Sequence, residues 1–432
     1  MMVTQDPAPV PPVICEHFVE RKKRKCRMQA LRASSYCAGH TALHDGPDAS
    51  QRVPCPLDPA HYVSVEKMEQ HMKICNANKY DYSAQPHYRE DVNLPPVHAI
   101  LDLPKVRLGE VPLPELIRVC TALLEYGSAS RVCDVTTAPE VVESEVDKFR
   151  SLFIKPDNIG AEAMRHAVQQ ISLVNSFSDF QEELTGEGEV RGTCFVELGA
   201  GTGKLSQWLA HRDQRTDNFF VLVDRQICRN RADYYFKKGV NNYTRFKMDI
   251  KDIEVGKVAQ VESHTSVCIA CKHLCGGATD LALVAAARTA EHKPTSVLIA
   301  LCCHHLCDWR SYVGKEYLLR HFSPVQFHMI RTLTAWATCF KIDKIRTHDT
   351  DFIAGEARKF LENPQNFVEG EHLSLDSSLQ WHIGRCAKAV LNDGRADFMR
   401  GHGFTLKFIS YVDVSISPEN TAFLCYRTAA DA

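Results

Sequence analysis

Residues 194–205 read Cys-Phe-Val-Glu-Leu-Gly-Ala-Gly-Thr-Gly-Lys-Leu, and their order decides the fold. The pattern is a buried strand with an acid, Glu197, near its end, then a turn built on Gly199, Gly201 and Gly203, then a helix, KLSQWLAHR. Glycine lets the backbone turn sharply and approach a ligand closely. In a parallel α/β sheet such a turn opens a nucleotide-sized pocket at the carboxyl edge of the strands. A dinucleotide fingerprint has its last glycine one position later, and a phosphate loop is longer and ends in Gly-Lys-Ser/Thr. Neither fits this spacing.

The spacing, led by Glu197, resembles instead the donor-binding motif of class I methyltransferases that use S-adenosylmethionine. That resemblance implies a turn holding an amino acid and a nucleoside, with no pyrophosphate. The chain downstream agrees with it. Strands are expected at 193–199, 218–224, 245–249, 265–273, 295–303, 404–413 and 420–428, with helices between them. The last two strands follow a helical stretch and resemble the closing hairpin of that fold. The expected fold is therefore α/β: a class I Rossmann-like methyltransferase domain with a seven-stranded, mostly parallel sheet and an antiparallel final strand, preceded by two small zinc fingers.

Acids at strand ends complete the expected donor site. Asp224 ends the second strand, where an acid can accept both ribose hydroxyls. Asp249 ends the third, where an acid or a neighbouring amide can read the adenine edge. Glu197 is expected to hold the methionine part directly or through water, over the turn of Gly199, Gly201 and Gly203. A single strand-end Asp equally serves as a helix cap. Three acids at successive strand ends of one sheet favour the donor reading for the set.

Bulk properties bound what else the chain can be. Its 432 residues can hold a large core plus one or two small modules. A formal net charge of −2 excludes a polycation, but residues 1–40 carry seven Lys/Arg against three Asp/Glu, with an unbroken basic run from Arg21 to Lys25. The eighteen cysteines, without a secretory leader ahead of them, suit a reducing compartment, the cytoplasm or the nucleus. The longest apolar runs, near 296–303, are too short to span a bilayer, so no membrane partner is expected.

Two short segments ahead of the sheet need a staple, since fewer than about 40 residues rarely fold on their own core. The first offers Cys15, Cys26, Cys37 and His40, in the order Cys-x10-Cys-x10-Cys-x2-His. The second offers Cys55, His61, His71 and Cys75, in the order Cys-x5-His-x9-His-x3-Cys, with His44 as a decoy. His71 and Cys75 are four apart on an expected helix and so share one face. Each set suits a closed tetrahedral Zn2+ site. Both modules resemble zinc fingers of RNA-processing proteins: the second, the CHHC finger shared by a spliceosomal protein and a tRNA methyltransferase family; the first, the CCCH finger of that same methyltransferase family. Arg21–Lys25 lies between the first two ligands, where a metal-fixed surface could track phosphates. A charge run can equally be a solvated face.

After the fourth and fifth expected strands come ACKHLCGGATD (270–280) and LCCHHLC (301–307), where class I methyltransferases place the acceptor. A helix with His166, Gln169, Gln170 and Ser172, and the segments Gly384-Arg-Cys-Ala-Lys388 and Asp393-Gly-Arg395, complete the pattern. Together they closely resemble the eukaryotic tRNA 2′-O-methyltransferases that modify the ribose of nucleotide 4 in the acceptor stem, the tRNA:m(4)X modification enzymes. The resemblance covers nearly the whole chain. It implies tRNA as partner, with no DNA, and a division into an N-terminal tail (1–13), a CCCH finger (14–41), a CHHC finger (52–76), a linker (77–105) and a methyltransferase domain (106–432).

Methyl transfer to a ribose hydroxyl needs orientation and a place for the hydroxyl proton. Lys272 and His273 are the candidates, with Asp280 to orient them. Other readings stay open. Cys268, Cys302 and Cys303 can be core residues within strands. Cys271, Cys275, His304 and Cys307 could hold a further zinc or an iron–sulfur cluster. Cys302 or Cys303 could act as the nucleophile of a base methyltransferase. The chain could also be a non-catalytic RNA-binding adaptor, or a methyltransferase acting on a small molecule or a protein.

Overall fold

Thr193–Leu198 buries all six of its residues, Glu197 included, as a central parallel strand must when both faces are covered. The computed structural model describes residues 13–20, 23–31, 34–37, 39–44, 52–57, 62–75, 82–96, 107–129, 135–147, 160–185, 192–226, 236, 242–340, 345 and 349–428. These divide into two units, Met1–Tyr82 and Ser83–Ala432.

In the larger unit the sheet strands are β1 (Thr136–Thr137), β2 (Thr193–Leu198), β3 (Phe219–Val223), β4 (Tyr243–Phe246), β5 (Ser266–Lys272), β6 (Thr295–Ala300), β7 (Thr405–Ser410) and β8 (Thr421–Arg427). The principal helices are α1 (Leu113–Ala129), α2 (Ala161–Thr185), α3 (Lys204–Arg212), α4 (Gly277–Ala290) and α5 (Ser377–Gly401). The sheet order is β1-β7-β8-β6-β5-β2-β3-β4. Only β8 runs antiparallel, between β6 and β7. This is the expected class I arrangement, extended by the two-residue β1 on the outer edge of β7. The strand order reverses at β2 and β5, which opens the crevice at their carboxyl ends.

Two apolar clusters hold the layers. Ala167, Ile171 and Phe177 of α2 pack with Phe195, Phe220 and Leu298 of the sheet. The second joins α1 and α5 to Trp309, Phe327 and Phe360. Part of the stretch read as linker is pinned to this unit: the Asn93 side chain donates to the carbonyls of Ile250 and Ile253, both at 2.7 Å. Among the described residues no helix is long and apolar enough to cross a membrane.

One buried ion pair joins α4 to α5. Arg395 of α5 and Asp280 of α4 are 1% and 0% exposed, joined by Nη2–Oδ2 at 2.8 Å and Nε–Oδ1 at 3.1 Å. Removing one member leaves an uncompensated buried charge, at a cost of about 3–5 kcal/mol. Chemical denaturation of Arg395→Met or Asp280→Asn is expected to show a loss of that order, and Arg395→Met combined with Asp280→Leu a smaller one. Single variants within about 1 kcal/mol of the parent would contradict it.

In the smaller unit Phe18–Val19 pairs antiparallel with Arg24–Lys25. A hairpin of Arg52–Pro54 and Tyr62–Ser64 precedes the helix Met68–Ile74.

Candidate active site and metal modules

The glycine turn after β2 is left-handed at Gly199 and Gly201, with φ of 69° and 49°. A Cβ on Gly199 would lie 2.6 Å from Leu274 Cδ1, whereas one on Gly201 would meet nothing within 4 Å. Gly199 therefore serves the close approach of the β5–α4 loop, and Gly201 leaves open space beside its Cα. Gly203 is the residue before α3 and is also left-handed.

The acids around the turn are already engaged. Glu197 Oε2 accepts from the Ser206 amide at 2.9 Å and the Ser206 hydroxyl at 2.5 Å. Burial pushes the Glu197 carboxyl up to about 7, against the pull of those two hydrogen bonds. Asp224 accepts from the Gly201 amide at 2.7 Å and the Gln226 amide at 2.8 Å. Arg245 of β4 donates to the Gly201 carbonyl at 3.1 Å, so Asp224 and Arg245 grip the turn from both sides. Arg245 carried no signal in the sequence, because only the closed sheet brings it to the turn. Asp249 accepts from the Lys251 amide at 3.1 Å and caps the short helical turn Ile250–Asp252. In this structure it does what an Asp at a helix start ordinarily does.

Lys272 is the last residue of β5 and is only 8% exposed. Desolvation, then the charge of Lys204, lowers its ammonium to about 8, while Glu197 pulls the other way. His273 follows in a left-handed conformation, φ 61°, a strain that side chains rarely accept without a local reason. Burial, then the charges of Lys272 and His166, lowers His273 to about 4. His166 of α2 meets the His273 ring edge-on, with centroids 6.2 Å apart. One cluster at the carboxyl edge thus contains Lys272, His273, His166 and Lys204. The last two were part of sequence motifs with no role assigned.

Asp280 faces elsewhere. Both its oxygens bind Arg395, and Oδ1 also accepts from the Val313 amide at 3.3 Å. Among the described residues it makes no hydrogen bond to Lys272 or His273. It fixes α4 rather than the reacting groups.

The cysteine-rich loops also differ from expectation. β6 ends at Ala300, so Cys302 and Cys303 lie beyond the strand, and Cys303 turns the chain with a φ of 48°. Cys271 stays buried within β5, His304 Nε2 bonds Asn392 Oδ1 at 2.7 Å, and Cys307 Sγ accepts from Arg395 at 3.0 Å. Those partners keep Cys271, Cys275, His304 and Cys307 from forming one ligand set. Burial pushes the Cys302 thiol far up and the Cys303 thiol to about 11, the latter aided by Cys275. Few thiolates are therefore available for a nucleophilic role.

In the smaller unit the donor atoms of Cys15, Cys26, Cys37 and His40 all lie within 4.8 Å of one another. His40 Nδ1 is 3.5 Å from Cys15 Sγ and 3.4 Å from Cys37 Sγ. Cys55, His71 and Cys75 form a second group, with sulfurs 3.8 Å apart and His71 Nε2 3.2 Å from Cys55 Sγ. Ligands about 2.0–2.3 Å from a tetrahedral Zn2+ stand roughly 3.4–3.8 Å from one another, so both sets fit the ion. His61 lies outside the described residues. His44 is not a ligand of either group: it stacks on Tyr36 at 3.8 Å and shares a 2.8 Å hydrogen bond with His17. Of the basic run, Arg21 and Lys22 lie outside the described residues, and Lys23 and Lys25 are exposed.

Residues 168–426 match the family model of Methyltransferase TRM13. The chain belongs to the TRM13 methyltransferase family. Residues 13–41 match the CCCH zinc finger in TRM13 protein, and residues 52–76 match the U11-48K-like CHHC zinc finger. The chain is 28% identical to the tRNA:m(4)X modification enzyme TRM13 homolog of Mus musculus over 94% of this chain and 92% of that one. The Homo sapiens homolog gives 28% over 94% and 93%. The tRNA:m(4)X modification enzyme TRM13 of Saccharomyces cerevisiae gives 25% over 96% of each. The matches to family models thus include the two metal modules as well as the sheet.

Each finger takes its folding energy from its metal. Cys37→Ser and Cys75→Ser in the full chain are each expected to lower zinc content by one equivalent, measured by elemental mass spectrometry. Zinc content equal to that of the parent would contradict the ligand assignment.

Proposed function

We propose that this chain transfers a methyl group from S-adenosylmethionine to the ribose 2′-hydroxyl of nucleotide 4 in the tRNA acceptor stem, in the cytoplasm or the nucleus. The observation that carries the chemical part is the Lys272 amine, buried at the end of β5 beside the glycine turn with its ammonium lowered to about 8. The substrate follows from the relatives, which are named for tRNA:m(4)X modification.

The open space at Gly201 and the carboxyl groups of Glu197 and Asp224 suit a donor with an amino-acid end and a ribose. Bound S-adenosylmethionine supplies an electrophilic methyl group on a good leaving group. What the protein must add is orientation and proton removal. A buried amine that titrates near neutrality can take the hydroxyl proton as the oxygen attacks. His273, neutral at physiological pH and weakly basic, is better suited to hydrogen-bonding the hydroxyl than to deprotonating it. The high thiol pKa values at Cys302 and Cys303 argue against base methylation through a cysteine adduct.

A cavity of about 380 Å3 opens beside β7 and β8, lined by Trp381, Arg385, Lys388, Asn392, Arg400 and Asn420. The Arg385 guanidinium lies 4.9 Å from the Trp381 ring centre. Cations in one groove suit an RNA backbone. Duplex RNA displays its 2′-hydroxyls in the shallow minor groove, so this target needs no base flipping.

Three outcomes follow. Isothermal calorimetry of the zinc-loaded protein is expected to show S-adenosylmethionine binding; no heat would sink the enzyme reading. With unmodified tRNA, the single-turnover rate should rise with pH through about 8 as Lys272 loses its proton, and Lys272→Gln should lower the rate roughly 100-fold with donor affinity kept. A flat profile or a full rate would contradict the role of Lys272. Neutralising Lys23, Arg24 and Lys25 should raise the KM for tRNA and flatten its salt dependence by about one unit of log–log slope per lost phosphate contact. An unchanged slope would remove the fingers' basic strand from tRNA binding.

A further inference from the structure

Three thiols that no role above uses meet at the carboxyl edge of the sheet. Cys275, from the β5–α4 loop, has its sulfur 3.7 Å from that of Cys302 and 3.1 Å from that of Cys303. All three sulfurs lie within 4.8 Å of one another. We propose that Cys275, Cys302 and Cys303 form a third metal site, taking one Zn2+ through three thiolates and leaving a fourth position for water.

The backbone is shaped to bring these loops together. Gly276 has a φ of 64°, and a Cβ there would lie 2.4 Å from the Leu306 carbonyl oxygen. No other residue permits that contact between the two loops. A Cβ on Gly277 would lie 2.2 Å from the Ser311 hydroxyl. Cys303 is left-handed, and its amide donates to Glu419 Oε1 at 3.2 Å, which fixes the turn from the other side. Glu419 is itself held by Lys388 at 2.5 Å. Two constrained backbones therefore converge on one sulfur cluster.

The spacing suits the ion. Sulfurs about 2.3 Å from a tetrahedral Zn2+ stand roughly 3.8 Å apart. The Cys275–Cys302 separation meets this, and the Cys275–Cys303 pair must open by about 0.7 Å. Three protein ligands and one open position is the pattern of zinc sites that exchange water, unlike the closed fingers. Cys275 is exposed while Cys302 is buried, so the ion can enter from solvent. Once bound it ties the loop that begins at His273 to the end of β6.

The test uses the full chain, purified under reductant, with zinc per chain counted by elemental mass spectrometry. Three equivalents are expected for the parent, two for Cys275→Ser, and recovery towards three for Cys275→His, which restores a ligand. Melting temperature and the zinc of the two fingers serve as the folding control. In the parent, Cys275 should resist iodoacetamide until a chelator is added. Equal zinc in the parent and in folded Cys275→Ser would overturn the proposal. So would peptide mapping that finds a Cys275–Cys303 disulfide in place of metal.

Discussion

The buried pair of Arg395 and Asp280 is the contact on which the carboxyl edge depends. Asp280 lies in the first turn of α4, just after the loop that carries Lys272, His273 and Cys275. Arg395 lies in α5, packed across the second core cluster with α1. The same guanidinium also donates to Cys307 and to Asn392, and Asn392 bonds His304. One side chain thereby joins α4, α5 and the loop after β6. Its neighbours are shaped for it: a Cβ on Gly394 would meet the Tyr312 hydroxyl at 2.2 Å, and Asp393 accepts from Tyr126 of α1 at 2.5 Å. The Asp-Gly-Arg segment is a fastener for the reacting groups. It touches none of them.

That fastening makes the electrostatics of the edge possible. A lysine keeps a lowered pKa only if it cannot swing out to water, and burial at a strand end beside a second lysine achieves this. Lys272, which loses its proton at about 8, then sits beside a neutral His273 and a carboxyl, Glu197, that burial has pushed up to about 7. Further positive charge lies in the groove lined by Arg385 and Arg400 and, in the smaller unit, at the exposed Lys23 and Lys25.

Much of this was legible in the sequence where the signal is local. The glycine turn, its flanking strand and helix, and the order of the later strands follow from patterns within a dozen residues. The finger ligands follow from Cys and His spacing in segments too polar for a core. What was not legible was of two kinds. Ends of elements shifted where no periodicity marks them: β6 stops at Ala300 because Cys303 leaves extended geometry, and β4 spans Tyr243–Phe246, half-buried throughout. The two-residue β1 is exposed and carries no pattern at all. Roles set by distant partners were also hidden. Asp280 read as a group near the reaction because its partner lies 115 residues away, and Cys275 finds its sulfur partners 27 and 28 residues on. Asp249 shows a local role beside the expected one: its side chain caps the short helical turn that follows.

The central claim is that the methyl group goes to a ribose hydroxyl at one position of tRNA. An alkaline hydrolysis ladder of end-labelled tRNA, taken before and after reaction, tests this most directly. Alkali cleaves RNA through the 2′-oxyanion, so a 2′-O-methyl group removes one band. The account expects one missing band, at the bond following nucleotide 4, only after incubation with both protein and donor. A complete ladder on tRNA that has nevertheless taken up the methyl group would place it on a base and contradict the account.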